Sequence, residues 1–355
     1  MIFNSLPFFA FFGIVYLLYW VFRSKNSLQN LILLGASLYF YAHWDWKFLL
    51  LILAQTIANY YLGIWVGNWS EREKNKALVV SVVFNLGVLG GFKYYNFFAQ
   101  ELNELFVLLN LNHQLNLVQL IAPLGISYLT FRNLSYLLDL DKGKMERSHS
   151  LIHYLNFVLF FPTLISGPID RARQFLPQLR ERRSFIPKDQ IEGLKQLGWG
   201  LFKKLVVADN CAIVVQGVLP SYSEYEGSFI LATIVMYSFQ LYFDFSGYSD
   251  MAIGFARLLG IKVADNFRYP YFAQSIPEFW RRWHISLTSW LTDYVYTPLS
   301  LKFRNWGNQG IMLAIFINFV LVGFWHGANW NCLIYGAIHG LLFVPSVLTG
   351  KLLKK

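Results

Sequence analysis

The sequence predicts an all-α, polytopic membrane protein, and three observations carry that expectation. Of the 355 residues, 55% are hydrophobic and only 14% are charged, where a soluble domain carries about 25% charged residues. Apolar runs recur at 8–22, 48–66, 77–92, 118–140, 229–245, 310–324 and 333–348, several of them near the roughly 20 residues a helix needs to cross a bilayer. The basic residues behind the net charge of +10 fall in short blocks between those runs. Cytoplasmic loops and anionic headgroups account for such blocks better than nucleic acid does. The first run lacks a basic leader and a small-residue cleavage site, so it reads as a retained membrane helix and not as a signal peptide.

The loops set the expected orientation. No Lys or Arg precedes the first run, whereas Arg23 and Lys25 follow it, which places the N-terminus outside. Trp44 and Trp46 mark an outer interface; Arg72, Lys74 and Lys76, then Lys142, Lys144 and Arg147, return to the inside. The alternation fails at 151–165, which starts inside yet leads to Arg171, Arg173, Arg180, Arg182, Arg183 and Lys188. A cluster so basic should stay cytoplasmic, and Pro162, Gly167 and Pro168 break the run. A re-entrant element is expected there, which implies a chamber within the bundle. Residues 195–219, with Lys203 and Lys204 on an apolar background, read as an interfacial or re-entrant helix. The last basic residues, Lys351, Lys354 and Lys355, should again lie inside. No repeat, low-complexity stretch or linker divides the chain, so 1–355 is expected to be one domain.

Ser275 and Glu278 have capping-box spacing with Pro277 in the first turn, so a helix should begin there. Along it, Phe279, Trp283, Leu287, Trp290 and Tyr294 recur at helical spacing. That stripe places His284 on the border between an apolar and a polar face. His326 lies in GFWHGANW at 323–330, between two apolar runs. Polar groups at membrane depth are usually retained for a task, and an imidazole there can act as a general base toward a hydroxyl. The competing reading is a histidine hydrogen-bonded between helices, with Trp325 and Trp330 as interface anchors. Gly323 and Gly327 would let substrate or backbone approach closely.

Arg281 and Arg282 stand close enough to His284 to hold a phosphate or carboxylate; equally, they could meet lipid headgroups. His339 reads as a packing or rim residue, and His43, His113, His149 and His153 carry no signal. Asp244 and Asp250 sit in an aromatic run and should line a cavity or pair with a cation, Arg257 or Arg268 being possible partners. Cys211 and Cys332 form neither a disulfide framework nor a metal set. No nucleophile elbow, zinc cluster, phosphate loop or dinucleotide fingerprint occurs.

These motifs together resemble the membrane-bound O-acyltransferase family, and within it the bacterial alginate O-acetyltransferase branch. The matching stretches are PLGISYLTF at 123–131, FPTLISGPI at 161–169, FDFSGYSD at 243–250, NFRYP at 266–270, FWRRWHISL at 279–287 and FWHGANW at 324–330. The resemblance implies a curved multi-helix bundle around a central tunnel, with re-entrant and interfacial helices in its wall. It implies acyl transfer from a cytoplasmic thioester, acetyl-CoA or an acyl carrier protein, with no bound cofactor or metal. His326 matches the catalytic histidine and His284 the second signature position. Arg281, Arg282, Asp244, Asp250 and Asn329 are the expected substrate-binding residues. The acceptor is expected to be a hydroxyl of an exported polysaccharide or of a periplasmic partner, at the bacterial inner membrane. Arg132 stands where the family usually has Gln. Relatives usually continue beyond the segment holding His339, so a compact variant, a fragment or a form borrowing a partner's helices is expected. D-alanyl or fatty-acyl transfer, a transporter and an inactive scaffold are the alternatives.

Overall fold

The structure, a computed structural model, describes residues 2–68, 71–118 and 121–350. The Arg72 side chain, residues 119–120 of the 118–140 run, and Lys351, Lys354 and Lys355, used in the charge reading, lie outside the described residues. Helix makes up 77% of the described residues, with no strand among them. The helices are α1 (Leu6–Val21), α2 (Asn26–Ala42), α3 (Trp46–Asn68), α4 (Glu71–Leu89), α5 (Tyr95–Leu108) and α6 (Ile126–Asp141). The short α7 (Leu151–Leu159) and α8 (Ala172–Arg180) precede α9 (Pro187–Leu201), α10 (Asp209–Val218) and α11 (Gly227–Leu258). The last six are α12 (Ile276–Arg282), α13 (Ile285–Leu291), α14 (Thr297–Lys302), α15 (Gly307–His326), α16 (Trp330–Leu341) and α17 (Val344–Leu348). Wider π-turns at Gly90–Tyr94 and Phe202–Ala208 join α4 to α5 and α9 to α10 without breaking the helical path.

Among the described residues, six stretches are long and apolar enough to cross a membrane: Trp46–Gly67, Glu73–Leu108, Pro187–Glu224, Gly227–Leu258, Arg304–His326 and Trp330–Leu348. The chain is a multi-pass membrane protein. Two sequence expectations are corrected. The run at 118–140 is not one span, because Pro123 supplies no N–H and Gly125 turns left-handed at φ 76°, so α6 starts only at Ile126 and has 16 residues. Residues 195–219 are not a separate interfacial element; they belong to Pro187–Glu224, a 38-residue path of spanning length. The lysines that suggested an interface are neutralised within the fold, as described below. The 151–165 run does stop short: α7 has nine residues, about 14 Å of helix. Phe161 begins the turn that follows, and its N–H is taken up by Ser37 Oγ at 3.2 Å, which satisfies a peptide group the helix has released.

Packing divides the chain into two compact units, Met1–Ile57 with Ser148–Phe267, and Ala58–Arg147 with Arg268–Lys355. In the first, Phe3, Phe8, Phe12, Phe40, Phe161 and Phe255 form an aromatic core, with ring centroids such as Phe12–Phe255 at 4.6 Å. Beside it, α9 and α11 lie almost backbone to backbone. A Cβ on Gly200 would meet Gly247 O at 2.7 Å, one on Gly247 would meet Gly200 O at 2.9 Å, and one on Gly254 would meet Gly193 O at 2.9 Å. Glycine spaced by seven in both helices permits this approach, the small-residue mode of membrane helix association. The same register brings Lys203 Nζ to Asp250 at 2.6 Å and Lys204 Nζ to Asp244 at 2.5 Å.

In the second unit, Asn59 and Asn85 exchange hydrogen bonds of 3.2 and 2.6 Å between α3 and α4. Tyr294 donates to Asp139 on α6 at 2.8 Å, and Trp290 Nε1 donates to Phe131 O at 3.0 Å. Those bonds seat the 276–302 segment against α6. Gly247→Leu is expected to force α9 and α11 apart and destabilise the protein by about 1–3 kcal/mol, read as a lower midpoint in a detergent thermal melt, while Gly217→Leu, where a Cβ meets nothing within 4 Å, leaves it unchanged.

Candidate active site

α15 ends at His326 because Gly327 goes extended, and Asn329 then caps α16 by accepting from Cys332 N at 2.8 Å. The turn is tight: a Cβ on Gly323 would strike Cys332 O and Gly336, so α15 and α16 touch through backbone. Of the two roles expected for Gly323, the structure gives it backbone approach. The final carbonyls of a helix lack internal partners, and here two are met from α4–α5. Tyr94 Oη donates to Phe324 O at 3.1 Å, and the Lys93 ammonium donates to Trp325 O. Lys93 Nζ also lies 5.5 Å from the Trp325 ring centroid, and Tyr94 stacks on Phe324 at 4.2 Å. A cation at a helix C-terminus is favoured by the helix dipole. Both groups sit in the π-turn Gly90–Tyr94, a feature frequent at functional sites.

His284 does not ride on a continuous helix, which corrects the stripe drawn through Phe279–Tyr294. α12 stops at Arg282, His284 itself is left-handed at φ 44° and ψ 53°, and α13 restarts at Ile285. A non-glycine residue in that region carries strain and marks sites where geometry matters. Ser275 caps α12 as its spacing predicts, accepting from Glu278 N. The break turns His284 inward: it is 2% exposed, and its ring centroid lies 5.9 Å from that of Trp325. Burial pushes its imidazole from an ordinary value near 6.5 down to about 3, with His326 adding to the shift. His284 is therefore neutral across the physiological range.

Trp325 in turn lies 4.7 Å from the His326 ring, so one indole neighbours both imidazoles. His326 is exposed. Tyr335 touches it at 6.1 Å and touches His339 at 4.4 Å, and His339 meets Trp280 edge-on at 5.2 Å. His339 thus packs among the rings of Trp280, Phe319 and Tyr335. Beyond it, Trp280, Arg281, Thr288, Asn318, Phe319 and Phe343 line a cavity of about 300 Å³. Trp280 Nε1, Asn318 Oδ1 and His339 Nδ1 are buried with no hydrogen-bond partner among the described residues.

The other expected residues separate. Arg281 reaches the cavity, whereas Arg282 is held by Glu278 at 2.5 Å and Tyr269 O at 3.3 Å. Asn329 is a cap. Asp244 and Asp250 belong to the other unit and pair with Lys204 and Lys203, not with Arg257 or Arg268; Arg257 is taken by Asp189 at 3.0 Å. Sequence reading missed Lys93, Tyr94 and Tyr335. A lone lysine after Gly90-Gly91 in an apolar run was the available signal for the first.

The family model for the membrane-bound O-acyltransferases matches residues 144–355. This chain belongs to that family. It is 39% identical over 348 residues to the probable alginate O-acetylase AlgI of Pseudomonas aeruginosa, covering 96% of this chain and 65% of that protein. A peptidoglycan O-acetyltransferase of Helicobacter pylori is 36% identical over 378 residues, 96% of this chain and 69% of the relative. A teichoic acid D-alanyltransferase of Streptococcus thermophilus is 35% identical over 234 residues, 61% of this chain and 55% of the relative. The chain thus spans about two-thirds of the length of the first two.

The neutral state of His284 has a pH consequence. Unfolded, the imidazole takes a proton as pH falls below about 6.5; folded, it resists down to about 3. Stability is therefore full above pH 6.5 and lost as pH falls from there toward 3. Between pH 7 and pH 5 the loss is about 2 kcal/mol. His284→Gln is expected to flatten the wild-type fall in melting temperature over that range, and an unchanged slope would refute the burial of a neutral imidazole.

Proposed function

We propose that this chain is an O-acyltransferase that moves an acyl group, in the first instance acetyl, from a cytoplasmic thioester to a hydroxyl of an exported polysaccharide or of a periplasmic carrier. The observation that carries the reading is the end of α15. An accessible imidazole, His326, is held on a helix terminus whose carbonyls are fixed by Lys93 and Tyr94, with a buried neutral imidazole one indole away. His326 takes the proton from the acceptor hydroxyl as its oxygen attacks the thioester carbonyl. The C–S bond then breaks, the ester is left on the acceptor, and the thiolate leaves as thiol with the proton His326 collected. Neutral His284 supports Trp325 from behind and does not compete for that proton. The cavity bounded by Trp280, Arg281 and Asn318 offers unpartnered polar atoms that suit the amide groups of a donor arm. The donor would be acetyl-CoA or an acyl carrier protein, the location the bacterial inner membrane with the N-terminus outside, and the partner a periplasmic acyltransferase.

Likeness to the Streptococcus thermophilus relative favours one second reading, D-alanyl transfer to a teichoic acid. Thiol release from acetyl and D-alanyl thioesters, measured side by side, separates the two. His326→Ala is expected to cut acetyl-dependent thiol release by about 10²–10⁴-fold and to fail to restore surface O-acetylation in a deletion host, at membrane levels matched to wild type. Full activity in that variant would move the chemistry elsewhere. Lys93→Met is expected to lower turnover by about 10- to 100-fold, through a displaced His326, with little change in donor affinity; unchanged turnover would make the lysine cap dispensable.

A further inference from the structure

A second polar cavity, of about 400 Å³, lies in the first unit and shares no lining residue with the cavity beside Trp280 and Arg281. It is bounded by the turn after α8, the first turn of α9 and the end of α11, with Gln178, Glu181, Arg182, Arg183 and Lys262 in its wall. Arg183 is 5% exposed. Its guanidinium donates to Asn26 Oδ1 at 2.7 Å, Asn30 Oδ1 at 2.6 Å and Gln178 O at 3.4 Å, and lies 5.6 Å from the Tyr19 ring centroid. Every one of these partners is neutral. Its Nε has no hydrogen-bond partner among the described residues.

A buried cation without a counter-charge is costly, and native proteins seldom leave one so. Burial already pulls the Arg183 guanidinium below its ordinary value. The nearby carboxylates do not resolve this. Asp189 is engaged by Arg257 at 3.0 Å, and Glu181 is exposed, as are Arg182 and Lys262 in the same wall. The 15-residue α9 also starts here with no side-chain cap, so its dipole favours an anion.

We propose that this cavity binds a phosphate-bearing anion, with Arg183 as its fixed counter-charge and Arg182 and Lys262 closing over it from the rim. Guanidinium groups suit phosphate oxygens in such a cradle. The phosphate could belong to a lipid headgroup or to a soluble ester, and the recognising chemistry is the same. The site stands apart from the acyl-transfer reading and survives if that reading fails.

The test uses the full chain in nanodiscs of neutral phosphatidylcholine. Its melting temperature is followed against glycerol phosphate or inorganic phosphate, with chloride at equal ionic strength as the salt control. A parallel series replaces part of the lipid with phosphatidic acid. Stabilisation by the soluble esters assigns a soluble ligand, and stabilisation by phosphatidic acid alone assigns a headgroup; either supports the site. Arg182→Gln with Lys262→Gln, both at the rim, should leave the anion-free melt unchanged and weaken the response by roughly ten-fold or more. No response in either series, or a response unchanged in the double variant, would overturn the proposal.

Discussion

Peptide groups that leave a helix inside apolar surroundings have no water to bond with, and the end of α15 shows how that constraint builds a site. The chain must break at His326 if an imidazole is to stand at a helix terminus with open space beside it. Breaking there releases carbonyls at Phe324 and Trp325, and those are met by Tyr94 and Lys93 from another helix. Reaching them is eased by the π-turn Gly90–Tyr94, which holds both donors. The next helix must restart at once, so Asn329 supplies a cap and Gly323 and Gly336 let the two backbones meet. Each device answers the cost of the previous one, and together they hold one side chain in place.

The first unit answers the same constraint differently. Asp244, Gly247 and Gly254 recur at intervals of three and seven and share a face of α11, with Asp250 alongside. Once Gly247 and Gly254 lie against the backbone of α9, the carboxylates flanking them are fixed toward that partner. Lys203 and Lys204, carried by the π-turn after α9, then neutralise them. The glycine contact sets the register, and the ion pairs follow from it.

That dependence explains what could be read from the residues beforehand. The apolar runs and the Ser275 cap depend on local composition and spacing, and both are visible in the chain. The partners of Asp244 and Asp250 depend on which helix face meets which, so Arg257 and Arg268 looked as eligible as the lysines. The break at His284 was hidden because Phe279, Trp283, Leu287, Trp290 and Tyr294 keep helical spacing straight through it. Phe279 and Trp283 still stack at 5.6 Å, and the tilted rings of Trp290 and Tyr294 meet at 4.9 Å, each pair on its own side of the break. Periodicity survives a single left-handed residue, and so it cannot report one. Lys93 was missed for a related reason: its role is defined by a carbonyl 232 positions away in sequence.

The two histidines are unequal in a way that bears on catalysis. An imidazole that is to take a proton from a substrate must be reachable. His284 is closed off and held neutral by burial, so it cannot serve as a rival base or carry a stable charge. It still fills space with a polar ring beside Trp325, whose own ring neighbours His326. On the proposed reading, replacing it by an apolar residue would remove a dipole beside the imidazolium that forms on His326. A neutral ring stabilises that charge without repelling it, whereas a second imidazolium would oppose it. The left-handed break at His284 is then the backbone cost of placing one buried imidazole near one that reaches the surface.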